Sequence, residues 1–306
     1  MPFAPRFTPT PLLQRQLVAI ERTVGFLDAV DFHPEWSSEL RSSVRVEDAL
    51  SSVQIEGATL SLERAFELVR DPPQGRVTDS EQEFLNHLAA FEAIEELRGD
   101  RKYEVSRRDL LGLQAILVRG VRGGHRHAGK YREEEVVVGD QDGADIVVHH
   151  QPPGWADVPG HVEDLLAWLT QVKRKPTSAQ AHRGAPDDWL HPVLVAGIAQ
   201  HRMVWIHPFV DGNGRSARML TTLVLYQRGY DFKYLFDLSS YYNRDRDKYY
   251  AALRTADVDG DYTAWLQYFV GGFALQMTQI RKRAEKIARG LASGLDPDPT
   301  TEEPSA

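Results

Sequence analysis

Apolar residues recur along most of this chain at the three-and-four spacing of helices with one buried face. Leu12, Leu13, Leu17, Ile20, Val24 and Leu27 trace such a face before Asp31. A second run, Glu39 to Glu56, carries Val44, Ala49 and Ile55 and meets Gly57, a good helix stop. Leu60 to Val69 keeps the pattern until DPPQG, a loop signal. Ser80, with Glu83 three residues on, reads as a capping box for a helix bearing Phe84, Leu88, Phe91 and Ile94. Helices are expected again at Arg108 to Val118, Val162 to Val172, His191 to Ile206, Ser216 to Gln227 and Arg246 to Arg254. A long one follows from Tyr262 to about Leu291.

One region breaks the helical period. The β-branched runs Val136 to Val138 and Ile146 to His150 flank GDQDGAD, which predicts a hairpin with a long turn, closed by Pro152-Pro153. The chain is thus expected to be mainly α with a single hairpin and no internal repeat. Its last dozen residues, DPDPTTEEPSA and its neighbours, read as disordered.

Composition narrows the function. The 306 residues suffice for one large domain, or one domain with helical extensions, and a hydrophobic fraction of 42% supports an ordinary core. There is no cysteine, which excludes disulfides, thiolate zinc sites and cysteine nucleophiles and suits a reducing, cytoplasmic compartment. MPFAPRFTPTP carries four prolines and no apolar stretch of signal-peptide type. The best apolar run, Leu266 to Leu275, is interrupted by Gln267 and Gly271-Gly272, so no membrane span is expected. A net charge of −8 without a long Lys/Arg block argues against a nucleic-acid partner.

The densest chemistry lies in HPFVDGNGRSAR, His207 to Arg218. Pro208 disfavours the α region at His207, so the helix ending near Ile206 should break there. Gly212, Asn213 and Gly214 then fall at the N-terminus of the next helix, where backbone N–H groups and the helix dipole favour an anion. Arg215 and Arg218, three apart, can point at that same anion with a fork suited to phosphate. Asp211 is a hard oxygen ligand where Mg²⁺ would sit, and His207 is the group able to act as a base near neutral pH. The parts describe transfer to a hydroxyl from a nucleotide held by metal and amides. Against this stands the plainer reading of a solvated helix–loop–helix turn.

Other motif readings fit less well. GNGRSA matches the dinucleotide fingerprint literally, and Asp231 falls about 20 residues on, but that fingerprint needs a strand before its first glycine. The Walker A pattern fails for want of Gly-Lys-Ser/Thr. A metal hydrolase would use His201, His207 and Asp211, yet His201 lies on the apolar face that carries Leu194, as a structural histidine would.

HPFVDGNGRSAR resembles the HxFx[D/E]GNGRxxR signature of the Fic/Doc (Fido) superfamily. Its eight constrained positions arise by chance in such a chain with a probability on the order of 10⁻⁸. GKYREEEVVVG followed by VVHHQPP looks like that family's flap hairpin, and Tyr249 to Trp265 is similar to the segment after its catalytic helix. The resemblance implies a Fic-type helical bundle with a β-hairpin flap over the active site. It divides the chain into an N-terminal helical region (1–104), a catalytic domain (105–255) and a C-terminal helix with a tail (256–306).

It also implies AMPylation, the movement of AMP from ATP to a Ser, Thr or Tyr hydroxyl of a protein. Carried over by position, His207 is the base and Asp211 holds Mg²⁺. The amides of Gly212, Asn213 and Gly214 form an anion hole, helped by Arg215, and Arg218 binds the γ-phosphate. Tyr250 and the neighbourhood of Asp257 match the adenine pocket, although Asp257 replaces the asparagine often found there. The flap valines Val136, Val137, Val138, Val147 and Val148 would dock the target protein. The chain itself is a second candidate target, and a homo-oligomer is compatible with the resemblance. Some relatives add a C-terminal winged helix, which nothing here resembles.

SSVQIEG contains Ser52-x-x-x-Glu56-Gly57, similar to the [S/T]xxxE[G/N] inhibitory motif of autoinhibited relatives. Four residues apart, Ser52 and Glu56 share a helix face. The implied role is a Glu56–Arg218 pair that occupies the arginine meant for the γ-phosphate. Two further expectations accompany the leading one: a deAMPylase in which Glu56 positions water, and an interaction protein that binds nucleotide without turnover.

Overall fold

A computed structural model describes residues 2–29, 34–98, 103–121, 126–142, 145–172, 189–230 and 236–292, with backbone alone at 34–40, 98, 140–142, 145–146, 257–259 and 287–292. The helices are α1 (Pro11–Ala29), α2 (Pro34–Ile55), α3 (Leu62–Arg70), α4 (Asp79–Arg98), α5 (Arg107–Leu117) and α6 (Val158–Gln171). They continue as α7 (Pro192–Ile206), α8 (Asn213–Gln227), α9 (Leu238–Arg244), α10 (Arg246–Asp259) and α11 (Thr263–Ala292). Between α5 and α6 lies an antiparallel hairpin of β1 (Val138–Asp142) and β2 (Asp145–His150). Among the described residues the fold is therefore mainly α with one β-hairpin, as expected. Among the described residues no helix is long and apolar enough to cross a membrane.

Two helices form the centre. α7 (PVLVAGIAQHRMVWI) is buried from Pro192 through His201, and α8 from Arg215 through Tyr226. Helices buried on every side need neighbours all round, and the others supply that shell. α4 and α5 pack on α8, while α6 and α11 pack on α7. α1 lies along α11, and α2 is wedged between α4 and α9 and reaches α8. α11 approaches α7 at Gly197, where a Cβ would stand 2.7 Å from Phe269 Cδ1. Trp265 Nε1 donates to the Gly197 carbonyl at 2.8 Å, so the same glycine permits the close approach and anchors it.

Several local expectations are corrected. β1 begins at Val138 and runs through Gly139–Asp142, residues expected in the turn; Val136 and Val137 precede it. A two-stranded ribbon is held by main-chain bonds with both faces near solvent, so polar residues serve as well as β-branched ones. Ser80 does not cap α4. Thr78 and Glu81 do, through Thr78 N to Glu81 Oε2 at 2.8 Å and Glu81 N to Thr78 Oγ1 at 3.3 Å. Ser80 Oγ accepts from Thr59 N at 3.2 Å, and Glu83 is fully buried. Leu12 is exposed, although it fits the α1 stripe. α9 occupies a stretch expected to be loop, with Asp237 as its N-cap and Asp245 parting it from α10. The tail beyond residue 292 and Asp231 lie outside the described residues.

Candidate active site

The HPFVDGNG turn joins the two central helices, so its residues stand at the end of the most buried part of the molecule. α7 ends as Pro208 requires, with His207 as its C-cap in the left-handed region (φ 48°, ψ 59°). His207 is the only non-glycine residue with positive φ among those described. That conformation costs a side-chain-bearing residue about 1–2 kcal/mol and is kept only where its surroundings enforce it. They do so here: Arg132 Nε donates to the His207 carbonyl at 2.8 Å, and Arg132 N donates to the Pro208 carbonyl at 2.9 Å.

The loop beyond is braced from within. Asn213, buried, accepts from Phe209 N at 2.9 Å and donates to the Phe209 carbonyl at 2.8 Å. Gln114 Nε2 donates to the Asp211 carbonyl at 3.0 Å, while its Oε1 accepts from Gly129 N at 2.7 Å. Gly212 is the N-cap of α8 with φ 83°, and a Cβ there would meet Val118 Cγ1 at 3.0 Å. No side chain caps α8, so its first turn presents N–H groups beyond the helix end. Gly212 itself is engaged, donating to Asp211 Oδ1 at 2.6 Å.

The two arginines do not converge on one point. Arg215 is fully buried; Nη2 donates to Asp211 Oδ1 at 3.0 Å, and Nη1 lies 3.4 Å from Glu83 Oε1 and 3.5 Å from the Leu117 carbonyl. Its guanidinium faces inward and orients Asp211, a correction to the expectation of two forks on one anion. Arg218 has different partners. Nε donates to Ser52 Oγ at 2.8 Å, and Nη2 to the Ser52 carbonyl at 2.9 Å and Glu56 Oε1 at 2.8 Å. Burial, the largest single effect, would weaken its hold on a proton; Glu56, Tyr249 and Tyr250 together outweigh it and keep Arg218 above its ordinary pKa.

Glu56 reaches this place because α2 ends there. Gly57, at φ 96°, turns the chain, with Gly57 N on the Gln54 carbonyl at 2.9 Å and Ala58 N on the Val53 carbonyl at 3.1 Å. A Cβ on Gly214 would lie 2.2 Å from Glu56 Oε1, so only a glycine admits the carboxylate. Glu56 therefore lies against the first turn of α8, at the positive end of that helix.

Burial, before any charge, lowers the His207 pKa to about 4, so its imidazole is neutral at pH 7. Nδ1 lies 3.4 Å from the Val204 carbonyl. Asp211 keeps a side chain 38% exposed, and its bonds from Gly212 N and Arg215 Nη2 both fall on Oδ1. Tyr250 stands at the rim, 38% exposed, with its hydroxyl 3.4 Å from the Ile55 carbonyl, next to Tyr249, which stacks on Tyr242 at 4.3 Å. Asp257 belongs to α10, its side chain outside the described residues. Val137, Val147 and Val148 are exposed on or beside the hairpin, and Val136 and Val138 are half-buried.

Sequence reasoning missed three supports. Glu83 read as a cap, although a carboxylate on the Phe84/Leu88 side of α4 was a signal of an internal partner. Gln114 lies within the apolar pattern of α5, where a buried amide must bond something. Arg132 stands in GKYREEE, beside three glutamates, where nothing local signals burial.

Comparison with known proteins bears on this arrangement. Residues 104–225 match the Fic/DOC family. A protein of Drosophila virilis named protein adenylyltransferase Fic is 27% identical over 263 residues, covering 83% of this chain and 46% of its own length. Its namesake in Aedes aegypti is 28% identical over 222 residues, covering 71% of this chain and 38% of its own. The chain thus spans about half the length, or less, of these curated relatives. A crystal structure of a Fic family protein from Desulfovibrio desulfuricans G20 superposes with a TM-score of 0.74 at 23% identity, covering 97% of this chain and 88% of that one. A Fic-domain protein from Bacteroides thetaiotaomicron gives 0.67 at 20% identity, covering 91% and 97%. The residues that match the Fic/DOC family contain the braced turn, His207 and both arginines.

Proposed function

We propose that this chain is a protein adenylyltransferase that moves AMP from ATP to a Ser, Thr or Tyr hydroxyl of a protein, and that Glu56 holds it inhibited. The names of its relatives support the first part. The observation that carries the second is the position of Glu56, bonded to Arg218 and laid against Gly214. A carboxylate there takes the place an anionic phosphate would take at a helix N-terminus beside a guanidinium.

Neutral His207 accepts the proton of the attacking hydroxyl as its oxygen bonds the α-phosphorus. The bond from that phosphorus to the bridging oxygen breaks, and pyrophosphate leaves. The first-turn amides of α8 stabilise charge on the phosphates, and Arg218 takes the γ-phosphate once Glu56 withdraws. Arg215 holds Asp211 in place. The residues fit Mg²⁺: bonds to Asp211 gather on Oδ1, the carboxylate is part exposed, and Mg²⁺ takes one or two carboxylates together with substrate phosphates. When bound it would neutralise phosphate charge. Tyr250, at the rim, would face the adenine, with Asp257 nearby. Exposed Val137, Val147 and Val148 suit a hairpin edge that receives an extended target segment.

A second reading keeps the site and reverses the reaction. Glu56 is 29% exposed and close enough to His207 to favour its protonation, so it could align a water for removal of AMP. One experiment separates the readings. Wild type and Glu56→Gly are incubated with Mg²⁺ and ATP and weighed intact, then assayed for AMP release from a modified chain. Autoinhibition predicts strong self-modification by Glu56→Gly alone. A removal activity predicts that this variant also loses AMP release. No gain from Glu56→Gly overturns the inhibitory role.

A further inference from the structure

Arg132 lies outside every helix and strand, between α5 and β1, yet only 2% of it is exposed. A buried cation ordinarily sits against a carboxylate. Among the described residues the carboxylate paired with it, Glu135 Oε2, is 3.9 Å away on a side chain 61% exposed. The guanidinium instead donates to three main-chain carbonyls: His207 from Nε at 2.8 Å, Glu134 from Nη1 at 3.0 Å, and Pro153 from Nη2. Its own N–H takes the Pro208 carbonyl at 2.9 Å.

Those contacts join the turn that carries His207, the chain leading into β1 and the chain leaving β2. A planar fork can serve three carbonyls on separate segments; an ammonium on a flexible stem cannot hold that geometry. The carbonyl taken by Nε belongs to the residue held in the left-handed region. A second tie runs in parallel, from His150 Nε2 at the end of β2 to the Trp205 carbonyl near the end of α7, at 2.9 Å.

We propose that Arg132 is a positioning residue, which locks the left-handed turn of His207 to the base of the β1–β2 hairpin so that the proton acceptor and the strand edge move as one unit. The proposal rests on the reading of His207 as the base. Burial depresses the guanidinium's pKa, as expected of a cation bonded mainly to neutral carbonyls. The Arg132 charge also adds, as a minor contribution after burial, to keeping the His207 imidazole unprotonated.

The test places Arg132→Lys and Arg132→Gln in the Glu56→Gly background, beside Glu56→Gly alone and Glu56→Gly/His207→Ala. Self-modification is followed over a range of ATP with Mg²⁺. The maximal rate should fall roughly 10–100-fold in both Arg132 variants, the scale of a misplaced reacting group, with half-saturating ATP unchanged. Lysine should not rescue. The acid limb of the rate profile should move to higher pH in Arg132→Gln, because loss of the positive charge eases protonation of His207. Hydrogen exchange should quicken over residues 136–150 but not over α8, and the His207 ring resonances should shift. The proposal is overturned if lysine restores the rate, if rate and ATP affinity fall together with thermal stability, or if exchange and ring resonances stay as in Glu56→Gly. Full modification by the His207→Ala chain would instead overturn the role of His207, a result distinct from a dead His207→Ala beside an active Arg132→Lys.

Discussion

Replacing Glu56 by glutamine and Ser52 by alanine should push the protein in two different directions. Both residues hold Arg218, but on the proposed reading only Glu56 competes with a phosphate. Glu56→Gln keeps an oxygen within reach of Nη2, where the carboxylate stands at 2.8 Å, and removes its charge. Two unit charges about 4 Å apart near a protein surface attract by about 4 kcal/mol at an effective dielectric of about 20. Desolvating the carboxylate cancels much of that, leaving about 1–2 kcal/mol as the net worth of the charge. That corresponds to a gain in self-modification of about 5–30-fold. Ser52→Ala removes the hydroxyl that accepts from Nε at 2.8 Å, while the Ser52 carbonyl still holds Nη2. An unsatisfied buried donor costs about 1–3 kcal/mol of stability. In a chain of this size each kcal/mol lowers Tm by about 1.5–2 °C. Glu56→Gln should therefore rank first for activation and Ser52→Ala first for loss of Tm, measured by intact mass with Mg²⁺ and ATP and by unfolding without nucleotide. Equal activation by the two variants would refute direct competition for Arg218 and point to general loosening of α2.

Two other predictions concern pH. Burial holds His207 and His201 down to about 4, against about 6.5 in an unfolded chain, which therefore binds these protons first. The stability tied to their neutral forms is complete above about pH 6.5 and is lost as pH falls toward 4; urea midpoints that stay flat across that window would contradict the buried, neutral state. Asp237 behaves oppositely. Burial and then Asp48 raise its pKa well above the ordinary value, so stability declines as pH rises from about 4, where the unfolded carboxyl ionises and the folded one does not. Asparagine can still accept from Ser240 N, now bonded at 2.8 Å, and needs no proton. Asp237→Asn should raise Tm at pH 8 and lose that advantage near pH 4; a lower Tm at pH 8 would show that the carboxyl pair favours the fold.

Much of this was legible because it is local. The amphipathic stripe of α1, the stop at Gly57 and the break before Pro208 each follow from a few neighbouring residues. The Glu56–Arg218 pair was legible by resemblance, and the two side chains lie 2.8 Å apart. What was not legible depends on partners distant in sequence. Arg215 turns inward because Glu83, 132 residues earlier, lies buried beneath it. Arg132 reads as surface charge until the chain leaving β2 and the His207 turn close around it. The hairpin was misregistered because β-branched residues marked the strand, whereas main-chain pairing decides a two-stranded ribbon. α9 was missed because seven residues give too little periodicity to detect, and its Asp237 cap is held in part by α2.

If Glu56 inhibits as proposed, the carboxylate against Gly214 makes inhibition a ratio rather than a barrier. On the competitive reading, the phosphate of a free nucleotide and a side chain fixed to the same molecule contend for one guanidinium and one helix end. Each tenfold rise in nucleotide then matches about 1.4 kcal/mol taken from whatever holds Glu56 in place. Packing energy at the buried face of α2, around Val46, Ala49 and Val53, becomes interchangeable with concentration. On that reading, a partner that tugs on this helix, without touching the His207 turn, would act as a richer supply of ATP does.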